Sequence, residues 1–373
     1  MSDTTEFDVL IIGAGLAGSL CAQNLASTNL RIGIVDHHQP GVGASSNPAT
    51  LLNPIPGATL NPKPGTLEAH AFTTCWLQSL PQDVRAHITT DLKLLRPFNL
   101  NTRSGRRLHR SFEESAELIR SHISAELLDQ SALQRTYPLL EGCDGAVLLG
   151  DCATAPISIL LSHLHQTLSR ESIPHLSGRL TQLIPESKGW RAETTLGTLR
   201  AERIVLASGA GLSNLFDNLP FQQTAGHLAV VKLPKDFPKA FAVSGRGHLA
   251  PLRDGTWSLG STYHQEESPE PTTAREVLAL LLEKIGTWVP RLKEAQIVHT
   301  WRGVRGVFPP ERQPLVGPVP GSEGLFVLGG FASRGLQWIP WAAHTLSEHL
   351  RGQPLDIPET IASSRLSHEF WTL

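Results

Sequence analysis

The chain has 373 residues, 40% of them hydrophobic and 18% charged, which predicts a globular protein of roughly two domains. Its formal net charge of −2 excludes the strongly basic field that marks many nucleic-acid-binding proteins. Four cysteines without a Cys-x-x-Cys pair exclude a disulfide scaffold and a cysteine-rich zinc site, and no apolar stretch is as long as a membrane-spanning helix, so we expect a cytoplasmic protein that is not in the membrane.

The N-terminal segment combines a strand, a glycine-rich loop and a helix. Phe7 to Ile12 (FDVLII) is an apolar run apart from Asp8, typical of a parallel strand that is covered on both faces. Gly13, Gly15 and Gly18 follow in a G-x-G-x-x-G spacing, and a helix is predicted from Ser19 to Ala26. Such a turn lets the chain backbone approach a pyrophosphate and lets the helix pack closely on the strand.

An acidic residue completes this pattern. A second strand is predicted from Arg31 to Val35, and Asp36 follows it at the position where a carboxylate accepts hydrogen bonds from a ribose. The segment therefore predicts dinucleotide binding, with the pyrophosphate at the helix N-terminus. A motif that begins at Gly13 is typical of flavoproteins, although NAD remains the alternative ligand. An ordinary glycine-rich turn would explain the glycines but not Asp36.

The next segment, from Gly43 to Pro54, reads GASSNPATLLNP. It resembles the G-A-S-x-N-x-x-G-x-L-x-P segment of the D-amino-acid oxidase superfamily, which includes glycine oxidase, sarcosine oxidase and the flavin half of the bifunctional tRNA wobble-uridine modification protein. The sequence of this segment is most similar to that of the last of these. In the family this segment passes along the pyrophosphate and the flavin ring. Thr50 stands where the family usually has glycine.

Three later segments extend the resemblance over most of the chain: 151–164 (DCATAPISILLSHL), 202–211 (ERIVLASGAG) and 303–336, which contains GVR, PLVG and GLFVLGGFASRGL. The resemblance implies an α/β (α+β) fold, in which a Rossmann-like FAD-binding domain carries an inserted antiparallel-sheet substrate domain, as in glycine oxidase. It also implies non-covalent FAD, because residues 306–314 lack the cysteine that carries the flavin in covalent members.

The flavin-type segments are separated along the chain, so two discontinuous domains are predicted. The FAD-binding domain comprises 1–81, 147–220 and 298–373, and the substrate-binding domain comprises 82–146 and 221–297. The two inserts are expected to form one antiparallel sheet with flanking helices. Their predicted elements are strands at 92–100, 228–233 and 256–262 and helices at 112–122 and 274–288, while 266–271 reads as a solvated loop. A closing helix is predicted at 337–350.

The glycine motif and the resemblance together indicate a set of residues that would contact FAD. The set is Gly13, Ala14, Gly15, Leu16, Ala17, Gly18, Asp36, His37, Ala44, Ser45, Ser46, Ala49, Leu51, Ala207, Ser208, Gly209, Gly330, Arg334, Gly335, Leu336 and Gln337.

Arg305 and Arg334 are the first candidate catalytic residues. Each lies in a glycine-rich, apolar stretch, where an unpaired guanidinium is costly, so each needs an anionic partner. The resemblance implies that Arg305 grips a substrate carboxylate through a planar, two-pronged contact and that Arg334 lies beside the flavin and the substrate. An internal salt bridge is the alternative for both. The glycine spacing favours Arg305 over its neighbour Arg302.

Tyr263 is the third candidate catalytic residue. It resembles a strand end of the family that reaches the substrate cavity, where its hydroxyl would donate to the carboxylate. The alternative is a strand-end tyrosine at the surface. His227 and His264 are weaker candidates, because a lone histidine among 16 is usually polar surface. No histidine pair has helical metal-ligand spacing beside a carboxylate, so no metal is predicted.

A run of basic residues lies between Arg85 and Arg110. It contains seven basic side chains and a single acid, Asp91: Arg85, Lys93, Arg96, Arg103, Arg106, Arg107 and Arg110. One interpretation is an anion-binding face for tRNA, because contacts to phosphates dominate affinity for nucleic acids. The other is a solvated strand and turn, balanced by the acidic helix that follows. We favour the second interpretation.

These observations predict an FAD-dependent oxidoreductase that oxidises the C–N bond of an amino acid or an N-substituted glycine. Hydride transfer to flavin N5 would give an imine, which water hydrolyses. One alternative is a stand-alone oxidase acting on the carboxymethylaminomethyl group of a tRNA wobble uridine. The other is a non-catalytic flavin-binding protein, for which Thr50 is the only support.

Overall fold

A computed structural model of the chain describes residues 5–37, 43–238, 241–264, 270–309 and 311–373. The strands are β1 (Thr5–Ile12), β2 (Ile32–Asp36), β3 (Thr50–Leu52), β4 (Thr89–Phe98), β5 (Ala125–Asp129), β6 (Gly145–Ala155), β7 (His175–Ser177), β8 (Leu180–Glu186), β9 (Gly189–Thr194), β10 (Gly197–Leu206), β11 (Gln222–Lys232), β12 (Phe241–Ser244), β13 (His248–Pro251), β14 (Trp257–Gly260), β15 (Gln296–Val307), β16 (Leu315–Pro318) and β17 (Leu325–Gly329). The α-helices are α1 (Leu16–Leu25), α2 (Thr66–Ser79), α3 (Gln82–Arg85), α4 (Arg103–Arg120), α5 (Gln130–Thr136), α6 (Ile157–Arg170), α7 (Ala274–Ile285) and α8 (Gly335–Leu350).

The chain forms two compact units. The first unit comprises Met1–Ser46, Ile157–Thr224 and Val304–Leu373, and the second unit comprises Asn47–Pro156 and Ala225–Gly303. Among the described residues, no helix is both long enough and apolar enough to cross a membrane.

The first unit is built on a largely parallel sheet with the strand order β16-β17-β10-β1-β2-β7. β1 pairs in parallel with β10 and β2, and the parallel pairing continues outward to β17 and β7. β16 and the β8–β9 hairpin add antiparallel strands. Helix α1 packs against both α6 and α8. In the central strand β1, Phe7 and the residues from Val9 to Ile12 are buried because both faces of the strand are covered there, as the run from 7 to 12 predicts.

The turn between β1 and α1 brings the helix into close contact with the end of the strand. A Cβ atom built on Gly18 would lie 1.9 Å from the carbonyl oxygen of Gly13. Gly13 itself has a φ of +113°, and a Cβ atom there would lie 2.5 Å from the carbonyl oxygen of Ala207. Only glycine fits either position, because a side chain would clash with backbone atoms.

The second unit is built on a sheet with the strand order β15-β11-β14-β13-β12-β4-β6-β3, to which β5 is added beside β6. Neighbouring residues of β4 enter different cores: Leu94 packs with Phe112 of α4, and Leu95 packs with Leu281 of α7. Helices therefore cover both faces of the sheet. The expectation of a wholly antiparallel sheet is wrong at one pairing, because β4 and β12 run parallel. These strands come from different inserts, so no hairpin imposes an antiparallel direction on them.

The second unit extends beyond the predicted inserts 82–146 and 221–297. β3 pairs with β6, and Ile55, Leu60 and Leu67 enter the same core as Leu94 and Phe112. The segment from residue 50 onward therefore packs on the second sheet, although its sequence resembles that of a cofactor-binding segment.

The basic run is largely helical, which corrects the expectation of a strand and turn. α4 begins at Arg103, well before the predicted start at Phe112, because the Thr102 side chain accepts a hydrogen bond from the Gly105 amide and caps the helix. Arg96 does not belong to any surface. It is 2% exposed and donates to the carbonyl oxygens of Ile55 and Gly57, at 2.9 and 2.6 Å.

We expect the substitution Gly18→Ala to destabilise the protein by about 1–3 kcal/mol, the usual cost of forcing atoms into a filled space. The measurement is the midpoint of urea unfolding, followed by tryptophan fluorescence. Gly211→Ala is the matched control, because a Cβ atom there would lie 3.5 Å from Ser208 Cβ, an ordinary contact. Equal midpoints for the two variants would show that the close approach is not a constraint.

Candidate active site

Three adjacent parallel strands of the first unit, β1, β10 and β17, end at one edge of their sheet, as the pairs Ile12–Leu206 and Leu206–Val327 show. Each is followed by a glycine turn with a positive φ, which is +113° at Gly13, +59° at Gly209 and +71° at Gly330. The three predicted cofactor-binding turns therefore lie side by side at the carboxyl edge of the sheet, where such sheets bind ligands.

The first turn presents the N-terminus of α1. Its N-cap, Gly15, has no side chain, and the nearest atom to a Cβ atom built there is Ser45 Oγ, at 3.0 Å. The same hydroxyl accepts a hydrogen bond from the Leu16 amide at 3.0 Å. The predicted residues 44–46 form a 3-10 turn with Gly43 and thus lie at the helix N-terminus, together with 13–18. A pyrophosphate can approach the backbone amides at such a helix N-terminus closely, because no side chain at Gly15 stands in the way.

Asp36 ends β2 and binds the glycine loop itself. Its Oδ2 accepts a hydrogen bond from the Ala14 amide at 2.7 Å, while its Oδ1 lies 3.6 Å from Nδ1 of the exposed His37. The sequence pattern predicts a contact between this carboxylate and a ribose, and that contact stays a prediction. The structure adds that Asp36 anchors the loop.

The second turn follows β10. The Ala207 amide donates to the carbonyl oxygen of Ile12 at 2.8 Å, which joins this turn to the end of β1. Ser208 Oγ is buried and has no hydrogen-bond partner among the described residues. Buried hydroxyls are normally satisfied, so an orphaned one in this turn is an observation that fits a bound polar ligand. The glycine loop and this hydroxyl together fit the dinucleotide that the sequence predicts.

The third turn carries Arg334. Its Nη1 donates to Oε1 of Gln313 at 3.3 Å, and the residue is half-buried at the N-terminus of α8. Gly335 begins this helix, and Leu336 and Gln337 are buried in its first turn. The N-terminal amides of α8 therefore lie beside Arg334, where they favour negative charge.

Arg305 lies near the end of β15 and is 7% exposed. The next residue packs tightly, because a Cβ atom on Gly306 would lie 2.7 Å from the carbonyl oxygen of Gly209. Val307 forms an isolated β-bridge with Phe331. These contacts bring the strand end that carries Arg305 to the second and third turns. Arg305 and Arg334 belong to separate motifs in the sequence, and the structure brings those motifs together.

Arg302 has a different environment from Arg305. Its guanidinium is half exposed, and its Nε and Nη2 donate to the two carboxylate oxygens of Glu270 at 2.6 and 2.8 Å. This two-pronged pair raises the pKa of Arg302 and lowers the pKa of Glu270. Glu270 belongs to the segment predicted as a solvated loop, of which residues 266–269 lie outside the described residues.

The second unit holds the remaining predicted residues. Ala49 is fully buried, its carbonyl oxygen accepts a hydrogen bond from Ser258, and Leu51 lies in β3. Tyr263 follows β14, is 47% exposed, and has the ammonium of Lys284 at 5.6 Å from its ring centroid. The structure thus places Tyr263 at the surface of its unit, and its substrate contact stays a prediction.

His227 and His264 contact each other in the second unit, with ring centroids 5.1 Å apart. Both approach the hydroxyl of Thr262, His264 at 2.8 Å and His227 at 3.3 Å. Within the described ranges, no group of three histidine, cysteine, aspartate or glutamate residues could hold a metal ion. Burial raises the pKa of the Cys21 and Cys143 thiols to about 11, so neither is a ready nucleophile at neutral pH.

Sequence reasoning missed residues that form hydrogen bonds to the candidate site residues and to the glycine loop. Gln313 supports Arg334, and His165 and Ser19 contact the glycine loop. Gln313 is a single amide in a loop, and His165 is one of 16 histidines. Neither has a sequence signal, because its role depends on a partner far away in the chain.

Comparisons with known proteins agree with this geometry. The family model described as DAO, FAD dependent oxidoreductase, matches residues 8–349. The tRNA 5-methylaminomethyl-2-thiouridine biosynthesis bifunctional protein of Azoarcus sp. (strain BH72) is 26% identical over 388 residues, which cover 96% of this chain and 59% of that protein. The glycine oxidase of Pseudomonas aeruginosa is 25% identical over 365 residues, which cover 92% of this chain and 95% of that enzyme.

The fold has a close counterpart among solved structures. The glycine oxidase from Geobacillus kaustophilus aligns with a TM-score of 0.84 at 20% identity, covering 97% of this chain and 100% of the other. The predicted fold class, the oxidoreductase class and the FAD cofactor are thereby confirmed. The chain belongs to the DAO family of FAD-dependent oxidoreductases.

Proposed function

We propose that this protein oxidises the C–N bond next to a carboxylate in a free amino acid or an N-substituted glycine. The observation that carries this proposal is the buried position of Arg305 at the carboxyl edge of the sheet, beside the turns at Gly209 and Phe331. A planar guanidinium there can grip a carboxylate through two parallel N–H bonds. Similarity to an enzyme named glycine oxidase along nearly its whole length supports a small substrate.

The proposed residues bind and orient the substrate. Arg305 holds the carboxylate and so places the substrate carbon, which converts binding energy into orientation. Arg334, supported by Gln313, adds positive charge at the N-terminus of α8. Tyr263 stays a candidate hydrogen-bond donor to the substrate on the strength of the family resemblance. These side chains bind and orient, and none of them is required as a strong base, since the amine reacts in its neutral form.

FAD, when bound, would supply the acceptor for the two electrons that leave the substrate carbon as hydride. The substrate nitrogen loses a proton, and the C–N single bond becomes an imine. Water then adds to the imine carbon and releases a carbonyl compound and the amine. Molecular oxygen or another acceptor would take up these two electrons at the end of the cycle. The cytoplasmic location and the non-covalent attachment of FAD stay predictions.

We expect Arg305→Met to lower kcat/KM for the amine substrate by about 100- to 1000-fold, because truncating one partner of a charged, hydrogen-bonded pair is costly. The visible flavin absorbance per polypeptide should stay at the wild-type value. Steady-state turnover of glycine, sarcosine and D-amino acids is the measurement.

Arg302→Met is the matched control for this experiment. It removes a guanidinium three positions earlier on the same strand, one that is exposed and pairs with Glu270. Loss of an exposed ion pair has little effect, so this variant should stay within about threefold of the wild type. If Arg305→Met turned over as fast as Arg302→Met, the carboxylate grip would be assigned to the wrong residue.

A second candidate substrate is the carboxymethylaminomethyl group of a tRNA wobble uridine, which is itself an N-substituted glycine. The observation that favours it is a stripe of exposed arginines at positions 103, 106, 107 and 110, a spacing that puts them on one face of α4. Within the described residues, none of the four forms an ion pair, and the only hydrogen bond of a guanidinium is from Arg106 to the Leu100 carbonyl.

This stripe is unfavourable for the helix by itself. Cations near a helix N-terminus oppose the macrodipole, while the acids Glu113, Glu114 and Glu117 lie further along α4. Such an arrangement suits contact with phosphates better than it suits helix stability. The chain spans 59% of the length of the Azoarcus tRNA-biosynthesis relative. The second candidate therefore concerns only the part of that relative's activity that would depend on FAD.

Substituting Arg103, Arg107 and Arg110 by glutamine should weaken tRNA binding and lower the slope of log Kd against log salt by about two to three, since each phosphate contact contributes close to one. Fluorescence anisotropy with labelled tRNA measures both. The matched control replaces three other exposed cations, Arg179, Lys188 and Arg275, with the same change in net charge. Equal effects of the two triple variants would count against a docking surface.

Anaerobic bleaching of the flavin separates the candidates. Bleaching by a free amine supports the small-molecule reaction, and bleaching only by tRNA that bears the carboxymethylaminomethyl group supports the second candidate. Absence of bleaching by any substrate, in a protein that binds FAD, would leave the non-catalytic flavin-binding alternative. Thr50, its only support in the sequence, pairs with Ala155 at the start of β3.

A further inference from the structure

We propose that His165 is a positioning residue for the cofactor, which holds the glycine loop so that the Gly15 amide points toward the pyrophosphate. The inference rests on FAD binding, which family membership supports, and does not depend on the substrate. It concerns the back of the loop, where the glycine motif assigns no residue.

The hydrogen bonds around Ala14 define the arrangement. His165, on α6, places its Nε2 3.0 Å from the Ala14 carbonyl oxygen and 2.9 Å from Ser19 Oγ. The Ser19 hydroxyl donates to the same carbonyl oxygen at 3.1 Å. On the other side, the Ala14 amide donates to Asp36 Oδ2 at 2.7 Å. Both peptide groups that flank the Ala14 Cα atom are therefore anchored by side chains.

The geometry of the peptide group means that an anchored Ala14 carbonyl also fixes the direction of the Gly15 N–H. The group that joins Ala14 to Gly15 is planar and trans, so its carbonyl and its N–H point in opposite directions. With the carbonyl held toward α6, the Gly15 N–H points away from α6. Gly15 is the residue at which the motif lets the backbone approach a pyrophosphate. His165 thus acts on the phosphate donor through the loop.

The protonation state of His165 suits this role. A carbonyl oxygen accepts but cannot donate, so Nε2 must carry the proton. Burial lowers the pKa of His165, and the stacked ring of His175, at 5.9 Å, acts in the same direction, while the hydrogen bond to the Ala14 carbonyl and the charge of Asp36 act in the opposite one. The ring is therefore a neutral donor at neutral pH, with its second nitrogen unprotonated.

We expect the first unit to fold without this hydrogen bond. Helix α6 is anchored by Leu160, Leu161, Leu164 and Leu168, all buried. The first bond of α1, from the Ser19 amide to the Gly15 carbonyl at 2.9 Å, forms without His165. Removing the imidazole donor should therefore loosen the loop and leave both helices in place.

The test is the affinity for FAD, measured by adding FAD to the apoprotein and following the quenching of flavin fluorescence. We expect His165→Leu to raise the Kd for FAD by about tenfold, the effect of one hydrogen bond. His165→Gln should stay within about threefold of the wild type, because its amide nitrogen reaches the position of Nε2. His163→Leu is the matched control on the same helix and should leave the Kd unchanged.

The melting temperature of each apoprotein separates loop positioning from folding. Wild-type binding by His165→Leu, or equal weakening in the leucine and glutamine variants, would overturn the proposal. Should the leucine variant fail to fold, His165→Asn replaces it: its shorter amide cannot reach the Ala14 carbonyl, so equal Kd values for the asparagine and glutamine variants would also overturn the proposal. Because the readout is FAD binding, failure of every amine to react would contradict the proposed function and leave this result standing.

Discussion

The contact between Gly18 and the carbonyl oxygen of Gly13 is the constraint on which the cofactor site depends. It allows α1 to begin directly behind the end of β1, so that helix amides face outward at the carboxyl edge of the sheet. β10 and β17 lie in parallel beside β1, and their turns therefore arrive at the same edge. A side chain at Gly18 would push the helix away and misplace all that contacts its N-terminus, from Ser45 to the Asp36 and His165 anchors of Ala14.

Arginines in this chain show how burial and partner chemistry separate structural roles from functional ones. Arg96 is buried, but two backbone carbonyl oxygens receive its guanidinium, so it joins two segments of the second unit. Arg302 is exposed and satisfied by a carboxylate, Glu270. Arg305 is buried near a glycine turn of the predicted cofactor site, where a planar guanidinium suits recognition of a small carboxylate. Arginine thus has three roles in this chain: it joins two segments through backbone carbonyls, it forms a surface ion pair, and it is proposed to bind the substrate carboxylate.

Much of the cofactor site could be predicted from the sequence because its parts are local. The glycine spacing, the largely apolar strand before it and Asp36 lie within one short βαβ unit. The start of α4 was missed, because a run of arginines conceals the Thr102 cap and the buried face behind it. Arg305 and Arg334 were identifiable as motif residues, but the bridge from Val307 to Phe331 that joins their segments was not.

The sequence by itself determined dinucleotide binding and the parallel core around β1, since these follow from spacing and periodicity within short segments. The choice of FAD and the assignment of Arg305 to a carboxylate came from the resemblance of its motifs to those of the family. Only the tertiary structure decided that β4 and β12 run parallel, that the segment after Ser46 packs on the second sheet, and that His165 reaches the loop from α6. Each of these depends on a contact between residues that are far apart in the chain. Such contacts are selected by the packing of whole surfaces, and a local pattern carries no information about which distant partner completes them.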